Sequence, residues 1–254
     1  MEKLKIILTD LDGTLFRDDK SISDYSKDVI CQAQKKGLLF GVCTSRAKVN
    51  ALPFLEGINP DILITNGGGI ASFRGEKIYS CEFSASEIKK LIQAAYEVCG
   101  NDVTLSVDNE KALYCNSKEN LGDSFWTYND FSDFDEPGMK MCVETLDSAK
   151  IEKIAGAVGI NQIDFLPFSD IPWYKLSKKG AVKEKAIEQL CSHLKVSAQN
   201  IVSFGDDFSD IGMLKFCGKG IAMQNAIAEV KAAADEICLS NENDGVARWI
   251  EENL

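Results

Sequence analysis

The run "ILTDLDGTLF", Ile7 to Phe16, constrains this chain more than any other stretch. The segment before its aspartates, Leu4 to Thr9, reads as a short strand buried on both faces, the pattern of a parallel sheet covered by helices. Asp10 and Asp12 then interrupt the most apolar run near the N-terminus. Charge in such a place is costly unless something pairs with it. A spacing of two lets both side chains leave the strand on the same side. Gly13 lets the backbone turn away at once. Asp and Gly at a strand end also form ordinary turns, so the pair calls for a second observation.

The first third of the chain alternates as a parallel sheet requires. "SISDYSKDVICQAQKKG" reads as a helix with Ser23 as N-cap and Gly37 as stop. "LLFGVC" is a strand, "RAKVNALPFLEG" a helix and "DILIT" a third strand. The last third repeats the rhythm: strand "IVSF", helix "DFSDIGMLKFCG", short strands "KGIAM" and "DEICLS" around the helix "NAIAEVKAAA", and a closing helix "DGVARWIEEN". The middle differs. An amphipathic helix, "SASEIKKLIQAAYEVCG", carries a capping box, Ser84 with Glu87. Strand-like pieces "VTLSV", "ALYC" and "MKMCVET", an acidic aromatic loop, a helix "DSAKIEKIAGAVG" and strands "QIDFL" and "WYKLS" follow. The expectation is an α/β core over 1–81 and 181–254 with an α+β domain inserted at 82–180.

The second observation lies at another strand end. "SFGDDFSDIGML" sets Asp206, Asp207 and Asp210 just after a glycine. Two carboxylate-rich strand ends in one sheet repel each other unless a cation sits between them. Ligation by carboxylates, water and a backbone carbonyl suits Mg²⁺, which binds few protein groups plus a substrate phosphate. An acidic first helical turn also favours the macrodipole, which accounts for Asp207 but not for the pairing with the first strand. Thr44 and Ser45 close the second strand, where a hydroxyl and helix-start N–H groups can take phosphate oxygens. The run "KLSKKGAVKEK" supplies lysines. The single His193 falls within a helix, so no Ser-His-Asp triad can be built.

Composition narrows the partners. The 254 residues are 45% hydrophobic and 26% charged, with a net charge of -11, which describes a globular protein that an overall field would keep from duplexes and anionic membranes. Nine cysteines without zinc spacing or a disulfide framework read mostly as small buried hydrophobes in a reducing compartment. With no signal-peptide pattern and no bilayer-length segment, a cytoplasmic location is expected.

"DLDGT", "TSR", a lysine before a helix and "GDDFSD", in that order, resemble the four motifs of the haloacid dehalogenase-like superfamily. The tail "GIAMQNAIAEVKAAADEICLSNENDGVARWIEE" is similar to the Cof-type subgroup with a type IIB cap. The resemblance implies a Rossmann-like parallel-sheet core, an inserted cap that selects substrates, and a Mg²⁺-dependent phosphatase of small phosphorylated metabolites. It implies Asp10 as nucleophile, and Asp12 as general acid and then base. It further implies Thr44 on the phosphoryl group, with Gly13 and Ser45 in the phosphate loop. Asp206, Asp10 and the Asp12 carbonyl would be the Mg²⁺ ligands, with Asp210 supporting them. Ser45 stands where the family has glycine, and Ser209 where it has asparagine. The pattern K-G-x-x-K fits Lys179, Gly180 and Lys183, and family spacing onward to Gly205 selects Lys183, since Lys178 or Lys179 would need an extra helical turn. A phosphomutase of the same fold and a non-catalytic sugar-phosphate-binding regulator are the alternatives. The motifs do not bear on oligomeric state.

Overall fold

The computed structural model describes residues 4–118, 125–167 and 171–254. β1 (Ile6–Thr9) is buried along its whole length. α1 (Asp24–Lys35) starts at Ser23, whose Oγ accepts the Ser26 N–H at 3.0 Å, and β2 (Leu39–Cys43) follows. The stretch that reads as one helix over Arg46–Gly57 is two short pieces, α2 (Lys48–Ala51) and a 3-10 turn over Leu52–Leu55. Pro53 has no N–H to continue the ladder, and its ring excludes the carbonyl four residues back. After β3 (Ile62–Thr65) comes a hairpin absent from the sequence-based expectation, β4 (Ile70–Phe73) and β5 (Glu76–Ser80). Its turn, Arg74-Gly75, has positive φ at both residues, the twist that hairpins favour.

The inserted stretch begins with α3 (Ala85–Cys99), where Ser84 and Glu87 form the expected capping box. β6 (Leu105–Asp108), β7 (Leu113–Cys115), β8 (Trp126–Tyr128), β9 (Lys140–Glu144), α4 (Ser148–Gly156), β10 (Ile163–Pro167) and β11 (Trp173–Lys178) complete it. Of these, β8 has no counterpart among the expected strands. The chain then runs through α5 (Lys183–Leu194), β12 (Ile201–Gly205), a 3-10 turn at Phe208–Asp210, α6 (Ile211–Phe216), β13 (Lys219–Ala222), α7 (Ala228–Ala233), β14 (Glu236–Ile237) and α8 (Gly245–Asn253).

Contacts divide the chain into two units. One comprises the described residues of Met1–Arg46, Ala51–Ser80 and Val182–Leu254, and the other Ala47–Asn50 with those of Cys81–Ala181. The first unit holds an eight-stranded sheet, order β14-β13-β12-β1-β2-β3-β4-β5. It is parallel from β14 to β3, and the hairpin adds two antiparallel strands at one edge. The second unit holds a six-stranded sheet, order β10-β11-β9-β6-β7-β8, antiparallel except for the β7–β8 pair.

Each unit has its own hydrophobic core. Phe16, Phe40 and Phe204 anchor the first among β1, β2, β12 and α8. In the second, Phe83, Ile88 and Leu91 meet Val107, Met141, Val143 and Ile151. The cysteines are less buried than composition suggests: Cys43, Cys115, Cys142 and Cys217 are buried, four others are half-buried, and Cys31 is exposed. No helix among the described residues is long and apolar enough to cross a membrane. Phe204 is fully buried and meets the Trp249 ring edge-on at 5.4 Å between centroids. Phe204→Ala should therefore destabilise the protein by about 3–5 kcal/mol, the loss of transfer energy plus a cavity, measurable as a lowered urea midpoint.

Candidate active site

In a parallel sheet the space beyond the carboxyl ends of the strands is where ligands bind. β1 lies between β12 and β2, with Thr9 opposite both Phe204 and Val42. Asp10, Asp206 and Thr44 therefore emerge at the same end of adjacent strands. The Asp10 N–H donates to the Phe204 carbonyl at 3.0 Å, extending the ladder one residue further. The chain then coils tightly through Leu11–Leu15, with Gly13 at φ +70°. A side chain at Gly13 would collide with the Asp206 carboxylate, so the glycine is required by close approach as well as by the turn. Thr14 Oγ1 donates to Asp206 Oδ1 at 2.9 Å. Together these two residues form the seat of Asp206.

Lys183 is the first residue of α5 and is only 1% exposed. Its Nζ lies 2.6 Å from Asp10 Oδ1 and 2.6 Å from Asp210 Oδ1. Lys178 instead pairs with Glu87 at 3.2 Å, and Lys179 is exposed. The other oxygen of Asp210, Oδ2, accepts the N–H groups of Asp206 at 2.9 Å and Asp207 at 3.1 Å. Both oxygens are thus engaged, which makes Asp210 an anchor for the lysine and for the loop that carries Asp206.

Asp12 is placed differently from Asp10. Its carboxylate receives a two-pronged contact from Arg46, Nε to Oδ2 at 2.6 Å and Nη2 to Oδ1 at 2.7 Å, and a third from Lys20 Nζ at 3.0 Å. Arg46 is held over the Phe54 ring at 4.9 Å and the Phe16 ring at 5.5 Å. Sequence reasoning misses Arg46, Lys20 and Thr14, although Arg46 directly follows Thr44 and Ser45. Thr44 is buried, and its Oγ1 accepts the Arg46 N–H at 3.1 Å, which leaves its O–H free to donate. Ser45 and Ser209 are exposed, and so is His193, which lies on α5 with its ring 6.2 Å from that of Phe73.

The electrostatics follow from this placement. Burial works against the charge on Lys183, but Asp10 and Asp210 outweigh it and hold the ammonium above its ordinary range. Burial raises the Asp10 carboxyl, against the pull of Lys183, and Asp210 and Asp206 add to the rise. Asp206 is pushed up to about 6, by burial first and then by Asp210 and Asp207, with Thr14 opposing. Partial burial would also raise Asp12, yet the hydrogen bonds from Arg46 and Lys20 win and lower it. Asp10, Asp206 and Asp210 each bring an oxygen within 4.8 Å of the others. With both Asp210 oxygens engaged, the Asp10 and Asp206 carboxylates are the oxygens that could meet a hard divalent cation, and the cluster's excess of negative charge suits one. Because Asp206 binds its proton more tightly in the folded chain than in the unfolded one, its charge is destabilising above its folded value. Asp206→Asn should consequently raise the melting temperature at pH 7 in chelating buffer. The gain should shrink as pH falls below about 6, where the folded chain takes up the proton, and vanish only below the unfolded carboxyl's 3.8, where both states are protonated.

Comparison with known proteins places the chain in a family. A family model described as haloacid dehalogenase-like hydrolase matches residues 7–250. YcsE of Bacillus subtilis, a 5-amino-6-(5-phospho-D-ribitylamino)uracil phosphatase, is 28% identical over 255 residues, covering 97% of this chain and 94% of YcsE. Phosphatase YwpJ of the same species is 25% identical over 291 residues, covering 99% and 100%. The solved structure of the HAD subclass IIB sugar phosphatase BT4131 superposes with a TM-score of 0.79 at 24% identity, over 98% of each chain. The chain belongs to the haloacid dehalogenase-like hydrolases and is an enzyme of the phosphatase type.

Proposed function

We propose that the protein is a Mg²⁺-dependent phosphatase of small phosphate monoesters that works through an aspartyl-phosphate at Asp10. The observation that carries this reading is the Asp10 carboxylate, buried at the end of the central strand with one oxygen on Lys183 at 2.6 Å. Lys183 fixes that carboxylate and offsets charge as a phosphate dianion approaches. Asp10 and Asp206, with the Asp12 carbonyl, would hold the Mg²⁺, and the bound ion would supply charge neutralisation for the phosphoryl oxygens. The Asp10 oxygen that Lys183 does not hold attacks phosphorus, and the ester P–O bond breaks as the leaving oxygen takes a proton from Asp12. Water then gives a proton to Asp12, attacks the same phosphorus, and releases phosphate and the Asp10 carboxylate.

Asp12, paired with Arg46 and Lys20, has the charge state needed for the second half of this cycle. The first half requires it protonated, so those contacts must loosen as substrate enters. A phosphate dianion is the group with the charge to draw both cations.

Substrate class is inferred from chemistry and relatives. YcsE is named for its action on a ribityl phosphate, and BT4131 is a sugar phosphatase. Both names describe phosphate esters of small polyhydroxy compounds. Sugar phosphates and similar polyol monophosphates are the substrates proposed here, with the inserted unit as the part that selects among them. Nucleic acid is not expected as a substrate for a chain of net charge -11.

The deciding experiment is phosphate release across a panel of polyol and sugar monophosphates. Release should require Mg²⁺, stop in excess chelator, and be absent in Asp10→Asn, whose amide cannot form the phosphoenzyme. Turnover by Asp10→Asn within tenfold of wild type would overturn the mechanism. Lys183→Ala should lower kcat by at least about a hundredfold, as loss of a preorganised charge at the reacting group does. Lys178→Ala, which removes only a partly exposed ion pair, should leave kcat within about twofold. A stopped-assay comparison of the two variants checks the ranking.

A further inference from the structure

The turn that seats Asp206 is held from outside by a part of the chain more than two hundred residues away. Asn225 Nδ2 donates to the Gly13 carbonyl at 2.7 Å. Its Oδ1 accepts the Asn241 N–H at 3.1 Å. The two partners fix which way round the amide sits, since a carbonyl demands the NH₂ and an N–H demands the oxygen. Asn241 is itself buried, and its side chain donates to the Phe16 carbonyl at 3.1 Å and to Asp18 Oδ1 at 3.0 Å. The loop after β13 also reaches the Asp206 loop directly, through the Ile227 N–H and the Asp206 carbonyl at 3.2 Å. Further out, Glu242 Oε1 accepts the Asp18 N–H at 2.7 Å.

These contacts form a chain of consequence. Gly13 lies against the Asp206 carboxylate without room for a Cβ, and Thr14 holds one Asp206 oxygen. Any shift of the Gly13 peptide is therefore a shift of the Asp206 carboxylate or a collision with it. The Gly13 peptide also adjoins the Asp12 carbonyl. The short bond from the Asn225 amide ties that peptide to the C-terminal loops. We propose that Asn225 is a positioning residue for the divalent cation: by pinning the Gly13 carbonyl, it sets the cation affinity of the Asp10–Asp206 site. The inference rests on the reading that this site binds a divalent cation.

The test is calorimetric titration of Mg²⁺ alone into the full-length protein, with no substrate present. Asn225→Ala should weaken Mg²⁺ binding about tenfold, at the low end of what supporting groups around a metal contribute. Asn225→Gln keeps the amide but misplaces it by one methylene, and should weaken binding in the same direction. Glu242→Ala cuts the same loop pair at Asp18 and leaves the Gly13 bond intact, so it reports general loosening and should hold wild-type affinity. Wild-type affinity in both Asn225 variants would overturn the proposal, as would equal weakening in Glu242→Ala. Absence of Mg²⁺ binding by the wild-type protein would overturn both this inference and the metal reading. Binding by wild type with no loss in the Asn225 variants would remove the clamp alone.

Discussion

One buried ammonium organises the strand ends. Lys183 begins α5, so its positive charge lies at the positive end of the helix dipole. It is also almost wholly removed from water. Either condition alone disfavours a cation, and an unpaired buried lysine costs several kcal/mol. The two carboxylates at 2.6 Å compensate, one from β1 and one from the turn after β12. The arrangement therefore works in both directions. Lys183 permits Asp10 and Asp210 to be buried close together, and they permit a helix to begin with a buried cation. An excess of negative charge remains, since Asp206 joins the same cluster, and the proposed Mg²⁺ would offset it.

Asp10 and Asp12 are separated by one residue and differ in nearly every physical respect. Asp10 stays within the sheet's end, raised by burial, with Lys183 as its counter-charge. Asp12 swings onto Arg46 and Lys20 and is lowered. The strand gives way to the tight coil at Leu11, between the two, and the coil carries Asp12 away from Asp10. Two environments thus push two identical carboxyls in opposite directions, the separation on which the acid and base roles proposed for them rest.

Much of this is legible in the sequence because the signals are local. A both-faces-buried strand, an N-cap at Ser23, a capping box at Ser84 and Glu87, and strand ends rich in aspartate each depend on a few neighbouring residues. What sequence reasoning misses depends on distant ones. Arg46 reads as the first residue of a helix, and only the fold brings its guanidinium to Asp12. Asn225 reads as the first residue of the helix "NAIAEVKAAA", which starts only at Ala228, and Asn241 as part of a turn, where asparagine is expected for local reasons alone. The hairpin of β4 and β5 turns on Arg-Gly rather than on Asn-Gly, the pair that marks such turns in sequence. The break at Pro53 is a different case, since proline inside a helical pattern is itself a stop signal that a closer reading would catch.

The pairing of β1 has a consequence for how the molecule is made. Ile6 pairs with Ile201 and Thr9 with Phe204, so the central strand acquires its second neighbour only after some two hundred residues have been synthesised. By then the second unit, drawn almost wholly from the continuous stretch Cys81–Ala181 and supplied with its own core, has left the ribosome. Domains tend to fold as units while synthesis proceeds, and long-range strand pairing is slow. Synthesis order lets the insertion fold first, while one edge of β1 stays unpaired until β12 is made. The strand ends that carry Asp10 and Asp206 can therefore come together only late in synthesis, because Asp206, Asp210 and Asn225 all come from the final fifth of the sequence.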